Sequence, residues 1–335
     1  MINTAAIENA GPIGHFDSKT LGKINLFIGH NGKGKTFLLK TLYATTKAVE
    51  QNNRGRNETK SFGELLSDKL LNTFDVNALG KIVKKGEGNK MHVKIKSGVQ
   101  SCEYTFSGAA VKQIQSQNYS SSFLPTHTNS IFLPAKEILS LRKVILASRE
   151  RSEFGFDDTY YDLAKALEPT RKGKNVKAFS DSRGKLMNII GGRIEYNQDR
   201  DEWIFRDSEK MEHDIAVTSE GIKKLSILES VLGTHYLSRD SIVFIDEPES
   251  ALHPELISQF LDIIFMLAKA GLQFFIASHS YFVIKKLYLI AHQHNTSIPV
   301  YSFDESCCRY DLKNEMPDNP IVGESIRLFE EELEL

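Results

Sequence analysis

Two kinds of apolar spacing divide the chain into strands and helices. Alternating or continuous apolar runs predict strands near residues 5–7, 24–28, 91–96, 102–106, 130–134, 192–197, 202–205, 241–245 and 274–277. Apolar residues three and four positions apart predict helices over 37–43, 62–83 and 135–145, and another from 256 up to the last of these strands. The run from Ile242 to Ile245 is apolar throughout, as in a strand buried on both faces of a parallel sheet. The pattern therefore predicts an α/β fold on a mixed or parallel core sheet.

Two hairpins and one charged stretch interrupt this pattern. The strands at 91–96 and 102–106 flank a Gly-containing turn, and those at 192–197 and 202–205 flank the polar turn 198–201, so both pairs predict antiparallel hairpins. Residues 150–190 are rich in charge, Arg171, Lys172 and Lys174 among them, and predict a helical insertion, while 51–57 predict a flexible loop. We expect three parts: a first lobe with an antiparallel β subdomain (1–140), an inserted, mainly helical lobe (141–210) and a second lobe (211–335).

Composition and charge narrow the class of protein. Hydrophobic residues make up 41% and charged residues 25% of the chain, as in an ordinary globular protein, and the formal net charge of -1 gives no general argument for nucleic-acid binding. The three cysteines have no C-x-x-C spacing, which favours a reducing compartment and argues against structural zinc. The segment before the first predicted strand lacks a basic region followed by an apolar run, so we expect no secretory signal, and the apolar stretch 256–277 is interrupted by polar residues. We expect a cytoplasmic protein without a membrane span.

One neighbourhood is locally basic and leaves two interpretations open. Its lysines lie in and before the first hairpin: Lys81, Lys84, Lys85, Lys90, Lys94 and Lys96. They could contact the phosphates of a nucleic acid. A solvated strand face is the more common use of such residues, and we favour it.

Residues 29–36 carry the most informative local signal. The sequence Gly29-His30-Asn31-Gly32-Lys33-Gly34-Lys35-Thr36 matches the phosphate-binding loop G-x-x-x-x-G-K-[ST], and it lies between a predicted strand and a predicted helix. Glycines let the backbone turn tightly and bring its N–H groups toward a phosphate, and the helix N-terminus adds further amides. Lys35 is expected to reach the β- and γ-phosphates of ATP, and the Thr36 hydroxyl to bind Mg²⁺. The competing interpretation, a Gly/Lys-rich surface turn, fits the flanking pattern poorly.

A pair of carboxylates follows the most apolar strand. Asp246 and Glu247 come directly after Ile245, at the end of a strand where parallel sheets present their ligands. Asp246 is suited to hold Mg²⁺, and Glu247 to polarise the water that attacks the γ-phosphate. An apolar run that ends in two acids is common among α/β proteins, but together with a phosphate loop it indicates a nucleotide hydrolysis site.

Three further segments surround the acid pair in a fixed order. Residues 218–225 place Ser219 and Gly221 at the start of an amphipathic helix, 249–254 (E-S-A-L-H-P) follow the acids, and a buried strand leads to His279. Taken singly, Ser219 fits a helix cap and His279 an ordinary loop histidine equally well. Their order resembles the signature motif, the D-loop and the switch histidine of ABC-type ATPases.

The combined pattern resembles the single-chain ABC-like ATPases related to SMC, RecF and OLD proteins, within the AAA-type ATP-binding proteins of bacterial defence systems. The resemblance covers both ends of the chain well and the middle poorly. It implies an ABC-type P-loop NTPase head, two of which sandwich two ATP molecules, each site pairing one subunit's phosphate loop with the other's signature helix. Ser219 and Gly221 would then contact the γ-phosphate of the partner's ATP, and His279 would sense it.

The sequence departs from that family at two points. The family's Q-loop glutamine has no clear match, although residues 133–137 lie in about the right place. The position usually held by proline after the first glycine of the loop is His30, a harmless change where only the backbone is required.

Three functions fit these residues. The first is a homodimeric ATPase that controls a separate effector, with a nuclease favoured, or DNA; the others are an ATP-switched scaffold with little turnover and a RecF-like DNA-binding repair ATPase. The 56 residues after His279 are too few for the nuclease domain of OLD proteins, and Asp304, Glu305 and Asp311 form no paired-carboxylate site, so we expect a second protein to supply any effector. Residues 324–335 either dock that partner or, as we favour, fold back onto their own head.

Overall fold

The computed structural model describes residues 1–55, 60–120, 123–125, 128–150, 155–168, 177–197, 199–200, 202–304 and 307–335. Parts of the predicted segments 51–57 and 198–201, together with Arg171, Lys172, Lys174 and Glu305, lie outside these ranges. The strands are β1 (Thr4–Ala10), β2 (Ile13–Asp17), β3 (Ile24–Gly29), β4 (Lys90–Ser97), β5 (Gln100–Ser107), β6 (Ser116–Tyr119), β7 (Ile131–Leu133), β8 (Gly192–Asn197), β9 (Glu202–Asp207), β10 (Glu212–Asp214), β11 (Ile242–Asp246), β12 (Gln273–Ala277), β13 (Pro299–Phe303) and β14 (Cys307–Asp311). The helices are α1 (Lys35–Asn53), α2 (Phe62–Phe74), α3 (Arg142–Glu150), α4 (Asp158–Ala166), α5 (Lys177–Ile190), α6 (Glu220–Gly233), α7 (Pro254–Lys269), α8 (Tyr281–Gln293) and α9 (Pro320–Leu333).

A six-stranded mixed sheet forms the centre of the molecule. Its order is β14-β13-β3-β12-β11-β7, with every pair parallel except β13 and β14. In the register of the sheet, Asp246 of β11 lies beside Ala277 of β12, and Phe303 of β13 lies beside Gly29 of β3. Four strands therefore end at one edge, which is where parallel sheets bind ligands.

The central strands are buried on both faces, as the apolar run of β11 predicts. Val243 and Ile245 belong to one apolar cluster, whereas Phe244 belongs to a second cluster on the other face. An aromatic row crosses the sheet on this second face, with ring centroids 5.1 to 6.4 Å apart between neighbouring strands: Phe132, Phe244, Phe275, Phe27 and Tyr301. Helix α1 packs over this row through Tyr43, whose ring meets Phe132 and Phe244 edge-on.

Two antiparallel sheets accompany the central one. A five-stranded sheet of order β2-β1-β4-β5-β6 forms the β subdomain, and a three-stranded sheet of order β10-β9-β8 contains the second hairpin. Both predicted hairpins are thus present. The fold is the expected α/β class, with a mixed core sheet, an antiparallel β subdomain and helices between its two halves.

Two predicted helices, α2 and α3, have different bounds in the structure, and five strands of the described ranges were not predicted: β2, β6, β10, β13 and β14. Helix α2 ends at Phe74 rather than near residue 83, because Asp75 adopts a left-handed conformation with φ of 51°. The helix predicted over 135–145 begins at Arg142 instead, since Ile138 and Leu139 are buried in the core from an irregular turn. Packing overrides helical spacing at this point.

Helix α4 of the inserted region is bound to the helix that follows the phosphate loop. Its N-cap residue, Asp157, accepts a hydrogen bond from Lys40 at 2.6 Å, and Asp162 accepts one from the Tyr43 hydroxyl at 2.7 Å. Buried Lys69 of α2 donates to Asp158 and Asp162 at 2.6 and 2.5 Å. Because these ions are buried, losing one partner would leave an uncompensated charge.

Helix α9 projects from the head. Val322 is its buried residue, whereas four larger apolar side chains are 50 to 72% exposed: Ile326, Leu328, Phe329 and Leu333. The interpretation in which this segment folds back onto its own head is therefore wrong beyond the first turn. No helix within the described ranges is both long and apolar enough to span a membrane.

Candidate nucleotide-binding site

The phosphate loop joins β3 to α1 in a conformation that requires glycine. Gly29 has φ of 132° and Gly34 of 100°. A Cβ atom would lie 2.2 Å from the Phe303 carbonyl oxygen at the first position and 2.7 Å from Ile13 Cγ1 at the second. Residues 30–33 between them are exposed, and Gly34 starts α1 without a side-chain cap. The loop therefore presents backbone amides and a helix N-terminus to solvent, as an anion site needs.

Lys35 is buried against this loop. Its ammonium donates to the carbonyl oxygens of Gly29 at 2.7 Å and His30 at 3.0 Å. Burial lowers the pKa of Lys35, and the carboxylates of Asp246 and Glu247 oppose that effect. The chain thus holds a cation inside the predicted phosphate cradle.

Thr36 and Asp246 meet at the carboxyl edge of the sheet. The Thr36 hydroxyl lies 2.9 and 3.0 Å from the two carboxylate oxygens of Asp246, although the residues are 210 positions apart. Burial raises the pKa of Asp246 to about 6, and the hydrogen bond from Thr36 offsets part of that rise. The two predicted metal ligands are therefore side by side.

Glu247 and His279 also come together. The Nδ1 atom of His279 is 3.5 Å from a carboxylate oxygen of Glu247 and 3.5 Å from one of Glu249. The same Glu249 oxygen accepts hydrogen bonds from the Ser278 hydroxyl at 2.8 Å and the His279 amide at 2.9 Å. The Glu247 side chain is 38% exposed and that of Glu249 10% exposed. Glu249 therefore holds the histidine loop, while Glu247 faces solvent.

Ser219 and Gly221 lie at the start of α6, apart from this cluster. The Ser219 hydroxyl accepts from the Ile222 amide at 3.4 Å as the N-cap, and none of the hydrogen bonds found in the described ranges joins Ser219 to the phosphate loop. A Cβ at Gly221 would lie 2.6 Å from the Ala251 carbonyl oxygen. The structure therefore packs the signature segment against the predicted D-loop of its own chain.

Sequence reasoning gave no role to three residues of the site. Glu249 is the first residue of the E-S-A-L-H-P segment. Its position two residues after Glu247 is the sequence feature that could have indicated a role in the site. Lys224 donates to the Glu247 carbonyl oxygen at 2.5 Å, but nothing in the sequence distinguishes it from its neighbour Lys223. Asp304 accepts from His30 at 3.1 Å and from Asn319 at 3.1 Å, and so connects the phosphate loop to the start of α9.

A cavity of about 590 Å³ adjoins the phosphate loop. It lies between the β subdomain and the end of β13, and its walls include Pro12, Ile13, Gly14, Lys33, Lys84 and Phe303. Asp17 and Asp304 also line it, so its walls combine apolar, basic and acidic groups.

The fold is the one found in ABC-type ATPase heads. The structure is similar to that of an SMC head bound to the C-winged helix domain of ScpA, with a TM-score of 0.54, 13% identity and coverage of 93% of this chain and 98% of that one. It is also similar to the Smc head with an extended coiled coil from Pyrococcus furiosus, with a TM-score of 0.51, 12% identity and coverage of 97% and 99%. A third similar structure, the recombination mediator RecF, has a TM-score of 0.46, which is too low to bear on the fold.

The family follows from the sequence of residues 118–285. This half of the chain matches the family described as "AAA domain, putative AbiEii toxin, Type IV TA system", and the chain belongs to that family. The matched stretch includes Ser219, the acid pair and His279. Among curated proteins, none matches the chain.

Proposed function

We propose that this protein is a Mg²⁺-dependent ATPase that forms a head-to-head homodimer around two ATP molecules and controls a separate effector, with a nuclease favoured, in a defence-type system. The observation that carries the proposal is the contact between Thr36 and Asp246, with Lys35 and Glu247 at the same sheet edge. This set combines a cation for phosphate, oxygen ligands for a metal and a carboxylate for water.

The residues present fit Mg²⁺. A hydroxyl and a carboxylate are hard oxygen ligands, and Mg²⁺ in nucleotide sites takes one or two such ligands together with phosphate oxygens. Within the described part of the chain, the proposed site included, no group of three or more His, Cys, Asp and Glu side chains could hold a metal alone, so phosphate oxygens would have to complete the coordination. When bound by Thr36 and Asp246, Mg²⁺ would neutralise charge on the phosphates.

The chain's own groups then account for hydrolysis. Lys35 exchanges its loop carbonyls for phosphate oxygens, which are stronger acceptors for an ammonium. Glu247 accepts a proton from the attacking water. The oxygen of this water bonds to the γ-phosphorus, and the bond between that phosphorus and the bridging oxygen of ADP breaks. His279, with Nδ1 toward Glu247 and Glu249, keeps Nε2 on its opposite edge for the γ-phosphate.

The location of Ser219 supports the dimer. It is exposed at a helix N-terminus, which favours anions, and it lies outside the hydrogen-bonded cluster of its own phosphate loop. In a dimer with twofold symmetry, each signature helix can serve the loop of the other copy, so both sites are completed at once.

Control of a separate effector is supported by the exposed helix α9 and by the comparisons. The helix combines apolar side chains with four glutamates, which suits a protein partner whose apolar groove has a basic rim. One similar structure is an SMC head in complex with a domain of another protein, ScpA. The description of the family names a toxin–antitoxin system, which is consistent with a defence role.

Steady-state ATP turnover of the wild type against Glu247→Gln tests the proposal. We expect the variant to lose about 100-fold or more in kcat, because general-base catalysis contributes that much. It should still bind ATP and reach the mass of a dimer in ATP and Mg²⁺. Wild-type turnover at background would overturn the ATPase and favour the ATP-switched scaffold, and a persistently monomeric Glu247→Gln protein would overturn the sandwich.

The RecF-like DNA-binding function is a second candidate, favoured by one observation. Exposed lysines remain on and beside β4, namely Lys81, Lys85, Lys90 and Lys96, whereas Lys94 is paired with Glu103 at 2.6 Å. If they bind duplex DNA, affinity should depend on ATP and fall steeply as salt rises. Absent or salt-insensitive binding would exclude this function.

A further inference from the structure

Lys224 is a buried cation on the signature helix that the hydrolysis mechanism above does not use. It follows Ser219 by five residues and is 7% exposed. Its ammonium donates to the backbone carbonyl oxygen of Glu247 at 2.5 Å. Burial lowers its pKa to about 8 despite the nearby carboxylates of Glu249, Glu247 and Asp246. Burying an ammonium is unfavourable unless its partners compensate, so this contact needs a physical account.

The contact lies at a strained turn. Glu247 has φ of 48°, a left-handed backbone conformation that residues other than glycine rarely adopt. Its amide donates to the Ala277 carbonyl oxygen at 2.9 Å, and its carbonyl accepts from the Ser250 amide at 3.0 Å as well as from Lys224. Strained residues persist only when their surroundings fix them. Lys224 is the side chain that α6 contributes to fixing this turn.

Helix α6 also packs against the turn at residues 247–251 through a second contact. Gly221, in the first turn of α6, lies so close to Ala251 that a Cβ would be 2.6 Å from its carbonyl oxygen. Ala251 also has a positive φ, 62°. Because the Gly221 backbone approaches the Ala251 carbonyl too closely for any side chain to fit between them, a shift of the start of α6 is passed to residues 247–251.

We infer that Lys224 is a positioning residue that couples the orientation of the Glu247 carboxylate to the position of the chain's own signature helix. The inference rests on the proposed function, in which Ser219 at the start of this helix meets the ATP held by the partner. Engagement of Ser219 then reaches Glu247 of the same chain, which acts on the ATP in its own loop. Each ATP site of the dimer thereby adjusts the catalytic carboxylate of the other, and hydrolysis becomes cooperative in ATP.

The test compares Lys224→Met and Lys224→Arg with the wild type. Lys224→Met should lower kcat about tenfold to 100-fold, the usual effect of losing a hydrogen bond from a charged group, with KM and ATP affinity nearly unchanged. The Hill coefficient for ATP should fall to about one, because the sites no longer communicate. Lys224→Arg, which keeps a cationic donor, should recover most of kcat. ATP-driven dimerisation should persist in both variants, since Ser219 is intact.

Lys223→Met is the matched control. Lys223 is buried on the same helix but contacts the Ser140 hydroxyl at 3.1 Å instead of Glu247, so its loss should leave kcat and the Hill coefficient near wild-type values. Where Lys224→Met is too unstable to assay, Lys224→Gln replaces it with the same expectations. If turnover depends on Glu247 but the Lys224 variants keep wild-type turnover, this inference is overturned while the proposed function stands. An equal loss of kcat in Lys224→Arg and Lys224→Met has the same consequence. Wild-type turnover independent of Glu247 overturns the proposed function and this inference with it.

Discussion

The proposed nucleotide site has two halves: a phosphate-loop half, with Lys35, Thr36 and Asp246, and a signature half, with Ser219 at the start of α6. A single chain assembles the first half but not the second. In the first, Lys35 and Thr36 are already bonded to the Gly29 carbonyl and the Asp246 carboxylate. In the second, Ser219 is exposed, and its hydroxyl caps its own helix. In the proposed site, a single head thus brings the phosphate and metal residues together, while its signature helix is left to serve a second copy. The difference separates what ATP binding requires from what dimer formation requires, and variants of each half should fail differently.

The largest effect is expected from the phosphate-loop half. Lys35→Ala removes the cation of the cradle and should weaken ATP binding by about 100-fold, the upper range for a charged hydrogen-bond donor. ATP-driven dimerisation should be lost with it. Titration of a fluorescent ATP analogue, together with mass measurement in ATP, checks both.

Lys23→Ala is the matched control for this variant. Lys23 precedes β3 at the opposite end of the strand from the loop and donates to the Gly271 carbonyl, so its loss should not alter ATP affinity. If Lys35→Ala still dimerises in ATP, the division of the site into two halves with separate roles is contradicted.

Mixing variants of the two halves is the sharpest test of the comparison. Lys35→Ala and Ser219→Arg should each be inactive alone. A mixed dimer contains one site built from the intact loop of one chain and the intact signature of the other. Because random pairing makes half of the dimers mixed, with one working site each, turnover should recover to at most about a quarter of the wild-type value, and to less where Glu247 of that site also depends on the signature helix of its own chain.

Ser61→Arg controls for the loss of a helix cap. Ser61 caps α2 as Ser219 caps α6, and it lies outside the nucleotide site, so the variant should keep wild-type turnover while losing about 1 kcal/mol of stability. If the mixture of Lys35→Ala and Ser219→Arg stays inactive although mixed dimers form, the signature helix does not act on the partner's ATP.

The two halves also differ in how well the sequence predicts them. The phosphate loop and β11 are predictable because their signals are local: glycines where the backbone takes positive φ, and an apolar run that fits a strand buried on both faces. Asp246 and Thr36 could be paired in advance because parallel strands end at one edge. For Ser219, the same residues fit a cap and a ligand, and a single chain does not distinguish them.

Elements decided by tertiary contacts were missed. In β2 only Ile13 and Phe16 are buried, three positions apart, so the strand lacks the alternation by which strands are recognised. The irregular turn with Ile138 and Leu139 has helical spacing but is held by the core. Lys224 was missed because the direction of a buried lysine depends on what packs against its helix.

Substitution of Glu249 should have a smaller effect on kcat, and it tests how His279 is held beside the phosphate-loop half. Glu249→Gln removes the charge that faces His279 Nδ1 while keeping an oxygen for the Ser278 hydroxyl, so kcat should fall about tenfold with KM unchanged. If Glu249 acts through the histidine, the double variant with His279→Ala should be no slower than His279→Ala alone. Additive losses would contradict a positioning role. Glu255→Gln, an exposed glutamate in the first turn of α7, is the control.

The smallest expected effect is on stability, and it has the opposite sign to the effects on activity. Burial raises the pKa of Asp246 from 3.8 to about 6. The folded chain must therefore hold an unfavourable carboxylate above pH 6, and this destabilisation disappears as pH falls through 6 toward 4, where the group is protonated. Asp246→Asn keeps an acceptor for the Thr36 hydroxyl without the charge. It should raise the free energy of unfolding at pH 7.5 by on the order of 2 kcal/mol, with a smaller gain at pH 4.5.

Urea unfolding without nucleotide or Mg²⁺ measures this difference, and Asp262→Asn is the control. Asp262 is half exposed and paired with Lys286 at 2.8 Å, so its removal should change stability by no more than about 1 kcal/mol at either pH. A less stable Asp246→Asn protein at pH 7.5 would mean that Asp246 is held by its neighbours as a structural anion. A more stable one means that the free head tolerates a buried charge whose compensation comes from outside the chain. The phosphate-loop half would then resemble the signature half after all, since each would lack one component that only ATP, Mg²⁺ and a second copy supply.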